Sequence, residues 1–359
     1  MQRIADDKFF PVLSGYIFPD RDVEEMRLMV RNITTTEEFQ QKVMYTVNRQ
    51  FILRSMTEFS FSGLECLDPR KNYLFISNHR DIMLDSSLLQ YLLLGNGFRT
   101  TEITFGSNLM STQLVVDVGK ANKMFTVIRN DNIRCFLKNS LLLSEYIRYV
   151  ISEKGESVWI AQRNGRTKDG NDVTEQGIIK MFCMSGFGNP VDSLNALNIV
   201  PVAISYQIES CDILKTLELY HSRLNQKYVK QPGEDLNSIL TGITQQKGRV
   251  NISICEPVTK DEIDFSHKYP NEFYKLVASV IDKRIYKHYK LYGNNYIAHD
   301  MRSGSAEYSD CYTPEEKEMF AGRCRAMLEQ IEGDKDILTA IFLDIYAKPV
   351  DNAKKAINQ

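Results

Sequence analysis

One short stretch of the chain carries the residue types that proton-transfer chemistry needs. His79, Arg80 and Asp81 are consecutive, and Asp85 follows four residues later. A histidine paired with a carboxylate can act as a general base, because the carboxylate orients the ring and stabilises the imidazolium as it forms. If Asp81 caps the following helix, Asp85 lies about one turn inside it and can point back toward the loop. The spacing thus makes His79 a candidate general base with Asp85 or Asp81 as its partner, and the other interpretation is a hydrogen-bonding turn histidine beside a helix cap.

The flanking sequence indicates which elements position these residues. An apolar run from Tyr73 to Ile76 stops at Ser77, and a helical pattern extends from Ile82 to Leu94. This pattern predicts a buried strand, a polar turn and a helix. Ligand and catalytic groups favour this position in α/β proteins, where a strand hands over to a helix.

The segment from Asn78 to Asp85 resembles the signature of the glycerolipid acyltransferases, the family of lysophosphatidate and glycerol-3-phosphate acyltransferases. That signature is Asn-His, four residues and then Asp, whereas five residues separate His79 from Asp85 here. The resemblance implies that His79 and Asp85 form the catalytic pair. It also implies that Asn78 and Arg80 contact the substrate.

Three further stretches resemble the other motif blocks of this family and occur in the family order. The first, Lys120 to Arg129, is an apolar strand that ends in an arginine, and the third, Ile199 to Tyr206, is an apolar strand that contains Val-Pro. The middle one, Val158 to Gly170, is a strand followed by a glycine-containing loop. The resemblance implies substrate binding by a set of loop residues: Arg129, Arg163, Asn164, Gly165 and Arg166.

The loop after the middle strand also indicates anion binding on physical grounds. Arg163, Arg166 and Lys168 supply three cations, and Gly165 allows close backbone approach, which together suit a phosphate. A solvated cationic loop is the other interpretation of the same residues. Asn164 stands where the family has glutamate, so any contribution of a negative charge at that position is absent.

Composition narrows the class of protein further. The 359 residues carry a net charge of −2, which argues against a general nucleic-acid binder. The seven cysteines form no C-x-x-C pair and indicate reduced thiols in a cytosolic protein. The opening residues do not form a signal peptide, and no apolar run reaches the roughly 18 residues of a membrane span. We expect a cytoplasmic protein that associates peripherally with the inner face of the cell membrane.

Alternating strands and helices predict the fold class as α/β: a mostly parallel mixed sheet covered by helices on both faces, with added N-terminal and C-terminal helices. The predicted strands cover 57–67, 72–77, 101–106, 124–128, 156–161, 198–206 and 249–255. The predicted helices of the α/β part cover 82–94, 108–118, 133–153 and 177–185. We expect an N-terminal helical segment at 1–56, an α/β acyltransferase domain at 57–260 and a C-terminal helical extension at 261–359.

Two C-terminal segments are candidates for membrane contact. In the first, from Pro270 to Tyr292, lysines and tyrosines interleave, which suits an anionic membrane interface: Lys283, Tyr286, Lys287, Tyr289, Lys290 and Tyr292. A solvated helix face with aromatic packing is the other interpretation. In the second, Asp336 to Lys348, a stripe of isoleucines indicates core packing or contact with an acyl chain.

Together these observations predict an O-acyltransferase. By resemblance, the donor is an acyl thioester, acyl-CoA or acyl carrier protein, and the acceptor is a glycerol phosphate or a lysolipid. No metal, other cofactor or nucleic-acid partner is expected. Two alternatives stay open: a catalytically silent lipid-binding protein of the same fold, and a metal-dependent phosphoesterase using His79, Asp81 and Asp85 as ligands.

Overall fold

A computed structural model describes residues 1–110, 112–128, 133–225, 228–265 and 271–358 of the chain. Seven strands form one sheet: β1 (Glu58–Ser62), β2 (Leu74–Ser77), β3 (Thr101–Gly106), β4 (Met124–Val127), β5 (Ser157–Ala161), β6 (Ile199–Tyr206) and β7 (Arg249–Ile254). Their order across the sheet is β1-β7-β6-β2-β5-β3-β4. Every neighbouring pair is parallel except β6 and β7, which are antiparallel. The predicted mostly parallel mixed sheet is confirmed.

Helices cover both faces of the sheet, as predicted. The helices within the α/β part are α6 (Leu84–Gly95), α7 (Gln113–Ala121), α8 (Ile133–Tyr149), α9 (Gln176–Cys183), α10 (Pro190–Asn195), α11 (Asp212–Asn225) and α12 (Glu234–Thr244). On one face Phe75 and Trp159 pack with Leu88 of α6, and on the other Ile76 and Ile160 pack among side chains of α8 and α9. The alternation along β2 and β5 explains this division, because successive side chains of a strand point to opposite faces.

The N-terminal helices lie on the face of the sheet that carries α6. They are α1 (Gln2–Ala5), α2 (Phe10–Ile17), α3 (Val23–Arg31), α4 (Thr36–Phe39) and α5 (Tyr45–Ser55). A π-helical turn at Gln40–Met44 joins α4 to α5. Val43, Val47 and Phe51 are buried in the same core as α6, so the apolar side of this helical segment is a packing surface.

The first C-terminal helix packs into the core on the α8 and α9 face of the sheet, and the other three form a C-terminal layer with a third apolar core. The C-terminal helices are α13 (Phe273–His288), α14 (Gly293–Ser303), α15 (Pro314–Gln330) and α16 (Lys335–Asn358). Thr313 and Glu316 form a capping box at the start of α15. Ile341 and Ile345 of α16 are buried in this core, so the isoleucine stripe contacts protein.

Of the two interpretations of the segment from Pro270 to Tyr292, the structure shows aromatic packing for two of its three tyrosines. Tyr289 and Tyr292 are 8% and 3% exposed, so neither ring is available to a lipid surface. The sequence left both interpretations open, because it did not reveal the β-sheet face against which this segment packs. Among the residues that the structure describes, no helix has both the length and the apolar character needed to cross a membrane.

Candidate active site

The turn between β2 and α6 brings a histidine and a carboxylate together at the carboxyl edge of the parallel strands. His79 Nδ1 lies 2.9 Å from Asp85 Oδ2. The Asp85 side chain is fully buried, whereas 14% of the His79 side chain is exposed. The pair therefore combines a shielded carboxylate with an imidazole that can reach a bound molecule.

Four hydrogen-bond donors hold the Asp85 carboxylate in place. Oδ2 accepts the backbone N–H groups of Arg80 at 2.6 Å and Asp81 at 2.9 Å, and Oδ1 accepts the Tyr206 hydroxyl at 2.8 Å. Burial, followed by the charge of Asp85, raises the pKa of Tyr206 well above its ordinary value, so this hydroxyl remains a donor. Four donors including His79 thus fix the carboxylate, and a fixed carboxylate fixes the ring.

The second nitrogen of His79 is available for chemistry. Within the described part of the chain, Nε2 has no hydrogen-bond partner, and the ring stands edge-on to Trp159 with 5.8 Å between centroids. Trp159 is in turn held by its indole N–H, which donates to Ser77 Oγ at 3.0 Å. Because Asp85 accepts the proton on Nδ1, Nε2 of the neutral ring carries a lone pair and can take a proton.

Asp81, the alternative partner of His79, stabilises the turn before α6 instead. Its Oδ1 accepts the backbone N–H groups of Met83 and Leu84, each at 2.8 Å, and its Oδ2 accepts the Ser210 hydroxyl. The helix begins at Leu84 instead of Ile82, which places Asp85 in its first turn. The extra residue between His79 and Asp85 is accommodated in this turn, ahead of the helix.

Asn78 was expected to contact the substrate, and the structure gives it another environment. Asn78 is fully buried and bonds both backbone groups of Ile204 on β6, accepting the N–H at 2.8 Å and donating to the carbonyl at 2.9 Å. Its side chain thus ties the turn to the neighbouring strand. A buried amide with these partners has no surface to offer a ligand.

Arg80 was also expected to bind substrate, and it is buried as well. Its guanidinium donates to Asp172 and Glu209, with the shortest distance 2.6 Å to Asp172. The side chain is 0% exposed. Arg80 therefore stabilises the turn from within, because an arginine buried between two carboxylates cannot also pair with a bound anion.

The loop after β5 runs beside the His79 turn. The Gln162 N–H donates to the Ser77 carbonyl at 2.8 Å, and the Thr167 N–H donates to the His79 carbonyl at 2.7 Å. Gly165 adopts a positive φ of 80° with open space around it, and Asn164 is exposed. The sequence-predicted binding loop and the catalytic turn are therefore brought together.

The three cations of this loop have different surroundings. Lys168 forms an ion pair with Glu218, so it is already compensated. Among the residues that the structure describes, Arg163 Nε and Arg166 Nη1 are buried atoms without a hydrogen-bond partner. An unpaired buried guanidinium nitrogen is costly in the free protein and marks a place where an anion would be stabilised.

Arg166 lies on the wall of a cavity of about 400 Å³ between the loop and helices α11 and α12. Lys215, Glu218 and Glu234 supply the other charged side chains of this wall, and Leu214 and Leu217 supply apolar ones. Lys215 Nζ donates to the Arg80 carbonyl at 2.7 Å, which joins the cavity wall to the residue after His79. Arg163 lies outside this wall. Of the two unpaired arginines, Arg166 is thus the one placed to hold a ligand in the cavity.

Two sequence predictions remain, the substrate contact of Arg129 and the alternative metal site. Arg129 lies outside the described residues. In the described ranges, no group of three or more His, Cys, Asp or Glu side chains has the arrangement of a metal site. Both Asp81 oxygens already accept hydrogen bonds, so that residue serves the turn.

A buried acid behind the site gives stability an unusual pH dependence. Burial raises the pKa of Asp282 to about 7, the Asp172 charge adds to this, and hydrogen bonds from Thr174 oppose it. Between about pH 4 and pH 7 the folded protein holds a proton that the unfolded chain has lost, so stability falls as pH rises through this window. We expect Asp282→Asn, which mimics the protonated acid, to raise the unfolding free energy at pH 8 by roughly 2–4 kcal/mol.

The measurement is urea denaturation of both proteins at pH 5 and pH 8. Asp300→Asn is the matched control, because hydrogen bonds from the Tyr308 N–H and the Tyr312 hydroxyl lower the pKa of Asp300 in spite of its burial. The control should lose stability at pH 8. Equal pH dependence in wild type and Asp282→Asn would contradict the assignment.

The chain was also compared with known proteins. No protein-family model and no curated protein matches it. Among solved structures it is similar to the crystal structure of the 1-acyl-sn-glycerophosphate (LPA) acyltransferase PlsC from Thermotoga maritima, with 14% identity and a TM-score of 0.42. The match covers 77% of this chain and 92% of that one. At this identity and TM-score the similarity carries no argument about function, which has to be drawn from the site itself.

Proposed function

We propose that the protein is an O-acyltransferase that moves a fatty acyl group from a thioester to a hydroxyl of a glycerol-phosphate or lysolipid acceptor. The observation that carries the proposal is the pair His79 Nδ1–Asp85 Oδ2 at 2.9 Å, with Nε2 unpartnered among the described residues. A neutral imidazole held in this tautomer is equipped to take a proton from a hydroxyl. The Asn-His and Asp signature supports the assignment to acyl transfer.

The mechanism requires one proton relay and no covalent acyl-enzyme. His79 Nε2 removes the acceptor hydroxyl proton as the oxygen attacks the thioester carbonyl carbon. Asp85 stabilises the imidazolium that forms, and Tyr206 and the two turn amides keep Asp85 in place. As the carbon–sulfur bond breaks, the imidazolium returns the proton to the thiolate, giving an ester and a free thiol. Bringing both substrates to one turn supplies much of the acceleration.

The cavity beside the turn is the proposed acceptor site. Its Arg166 has an unpaired buried Nη1, and a planar guanidinium suits the oxygens of a phosphate or another anionic headgroup. The donor in this proposal is acyl-CoA or acyl carrier protein, each a co-substrate. Since a lysolipid acceptor and the acylated product are lipids, the proposal includes peripheral contact with the cytoplasmic face of the cell membrane.

The test is product analysis by mass spectrometry. The wild-type protein is incubated with acyl-CoA or acyl carrier protein and with a panel of acceptors: glycerol 3-phosphate, lysophosphatidate, other lysophospholipids and hydroxylated amino-acid lipids. The proposal predicts a new ester with at least one donor and acceptor. A folded protein that binds these lipids and forms no ester would be a silent lipid-binding protein, and the proposal would be wrong.

The two loop arginines provide a matched pair for the acceptor site. Arg166→Gln removes the unpaired cation of the cavity wall, and Arg163→Gln removes a neighbouring unpaired arginine outside the wall. We expect Arg166→Gln to raise the acceptor KM by roughly 10- to 100-fold, the loss of one hydrogen bond to a charged group, with the donor KM unchanged. Arg163→Gln should change neither. Equal effects of both substitutions on acceptor KM would show that the headgroup binds elsewhere.

A further inference from the structure

The Arg80 side chain is the centre of a buried, charge-balanced cluster that the proposed chemistry does not itself use. Its guanidinium contacts Asp172 at 2.6 Å, Glu209 at 3.1 Å and the Gly170 carbonyl at 3.2 Å. Lys215 completes the cluster by pairing with Glu209 at 2.5 Å. Two cations thus face two carboxylates in a volume closed to water. Such a cluster is stable only while every partner is present, because removing one leaves a buried charge uncompensated.

This cluster also holds the backbone that carries the catalytic pair. The Arg80 N–H is the 2.6 Å donor to Asp85 Oδ2, and the Arg80 carbonyl accepts Lys215 Nζ at 2.7 Å. Arg80 immediately follows His79. A shift of its guanidinium therefore moves the backbone amide that orients Asp85 and, through Asp85, the imidazole.

The C-terminal helix α16 supports the carboxylate on one side of Arg80. The Glu209 N–H donates to the Tyr346 hydroxyl at 3.1 Å, and that hydroxyl donates to Asp212 Oδ2 at 2.6 Å. Arg323 of α15 holds the same Asp212 with two hydrogen bonds of 2.6 and 2.7 Å. The turn from Glu209 to Asp212 is therefore fixed by α15 and α16.

The same helix supports the other side of Arg80 as well. Gly170, whose carbonyl accepts from Arg80, has a positive φ of 78°, and a Cβ there would lie 2.3 Å from the Ile345 carbonyl oxygen of α16. Lys348 of α16 pairs with the neighbouring Asp169 at 3.0 Å. Both segments that bind the guanidinium are thus packed against one helix.

We infer that α15 and α16 are part of the catalytic apparatus, and that Glu209 and Tyr346 are positioning residues that act on His79 through Arg80. The inference rests on the proposed role of His79 as a base. The titratable and charged residues around the His79–Asp85 pair are Arg80, Asp81 and Tyr206, with Lys215 on the Arg80 carbonyl, and within the described residues no side chain of the C-terminal layer hydrogen-bonds the pair. Its effect is therefore geometric: it keeps the imidazole aligned with the acceptor hydroxyl, and small misalignments at a reacting centre lower rates strongly.

The test compares two tyrosines of the C-terminal layer. Tyr346→Phe removes the hydroxyl between Glu209 and Asp212, while the ring keeps its packing against Phe320 and Phe342. Tyr312→Phe, the matched control, removes a hydroxyl that donates to Asp300 at 3.0 Å, with no link to Glu209. We expect Tyr346→Phe to lower kcat about tenfold with both KM values unchanged, and Tyr312→Phe to leave kcat unchanged. Glu209→Gln, which keeps the size of the side chain, should lower kcat further.

A second readout does not depend on activity. Nitrogen-15 spectra of histidine-labelled protein, with the His79 signal assigned from a His79→Gln variant, report the tautomer and hydrogen bonding of the ring. Tyr346→Phe should change the His79 nitrogen shifts, and Tyr312→Phe should not. If the wild type transfers no acyl group but these shifts respond as expected, the proposed function fails and the positioning network stands. If a folded Tyr346→Phe protein has wild-type kcat and an unchanged His79 spectrum, the inference is overturned.

Discussion

Replacing Asp85 with asparagine is expected to lower kcat by about 100-fold or more while the protein stays folded. The Tyr206 hydroxyl can turn from donor to acceptor, so an asparagine can direct its amide group toward Tyr206 and its carbonyl toward Arg80, Asp81 and His79. The turn then keeps its hydrogen bonds. What disappears is the negative charge that stabilises the imidazolium as the proton moves, and this term accounts for the loss in rate. Steady-state kinetics at saturating substrates measure it.

Asp81→Asn is the control for this prediction, since it changes a carboxylate in the same turn. Its carbonyl can still accept the N–H groups of Met83 and Leu84, so the cost should be ~1 kcal/mol or less of stability with kcat near that of wild type. If Asp81→Asn lost more activity than Asp85→Asn, the acid assignment would be reversed.

The sequence predicted those parts of the fold that depend on local patterns. Strands such as Leu74–Ser77 and Ile199–Tyr206 are apolar runs bounded by polar residues, and α3 and the start of α15 follow from periodicity and capping residues. Helices α11 and α12, which form one side of the cavity, were not predicted. The sequence predicted a mostly parallel mixed sheet but not which strands pair, because the antiparallel placement of β7 depends on long-range contacts.

In the candidate site, too, the parts that depend on local sequence were predictable. His79 and Asp85 are neighbours in sequence, and the single turn between them restricts their geometry. Tyr206 binds Asp85 from 121 residues away, and no local pattern distinguishes it from an ordinary strand tyrosine. The only signal available was its place at the end of the Val-Pro strand, which meets the same sheet edge.

The family resemblance implied that Arg80 contacts the substrate, and the burial of its side chain could not be seen in the sequence. An arginine in a polar turn is expected to be exposed and available to a substrate, since arginine is seldom buried. Asp172 and Glu209, which neutralise it, lie 92 and 129 residues away. Only the three-dimensional structure shows that this charge has partners, and that Arg166 Nη1 lacks one among the described residues.

Replacing His79 with alanine is expected to have the largest effect of any single substitution. It removes the group that takes the acceptor proton, and positioned general bases contribute about 10²- to 10⁴-fold to rates. Because His79 is partly exposed and its Nδ1 bonds only Asp85, the protein should fold, although Asp85 loses one of its four donors. His288→Ala, which removes an imidazole of α13 whose Nδ1 lies 2.9 Å from the Arg284 carbonyl oxygen, is the matched control and should keep wild-type activity.

The most direct measurement follows thiol release and ester formation together, with and without acceptor, for wild type and His79→Ala. The account predicts that wild type releases one thiol per ester formed and only when acceptor is present, since no acyl-enzyme intervenes. It predicts that folded His79→Ala forms ester at least about 100-fold more slowly than wild type. Equal acceptor-dependent ester formation by the two proteins would show that His79 is not the base and would contradict the central claim.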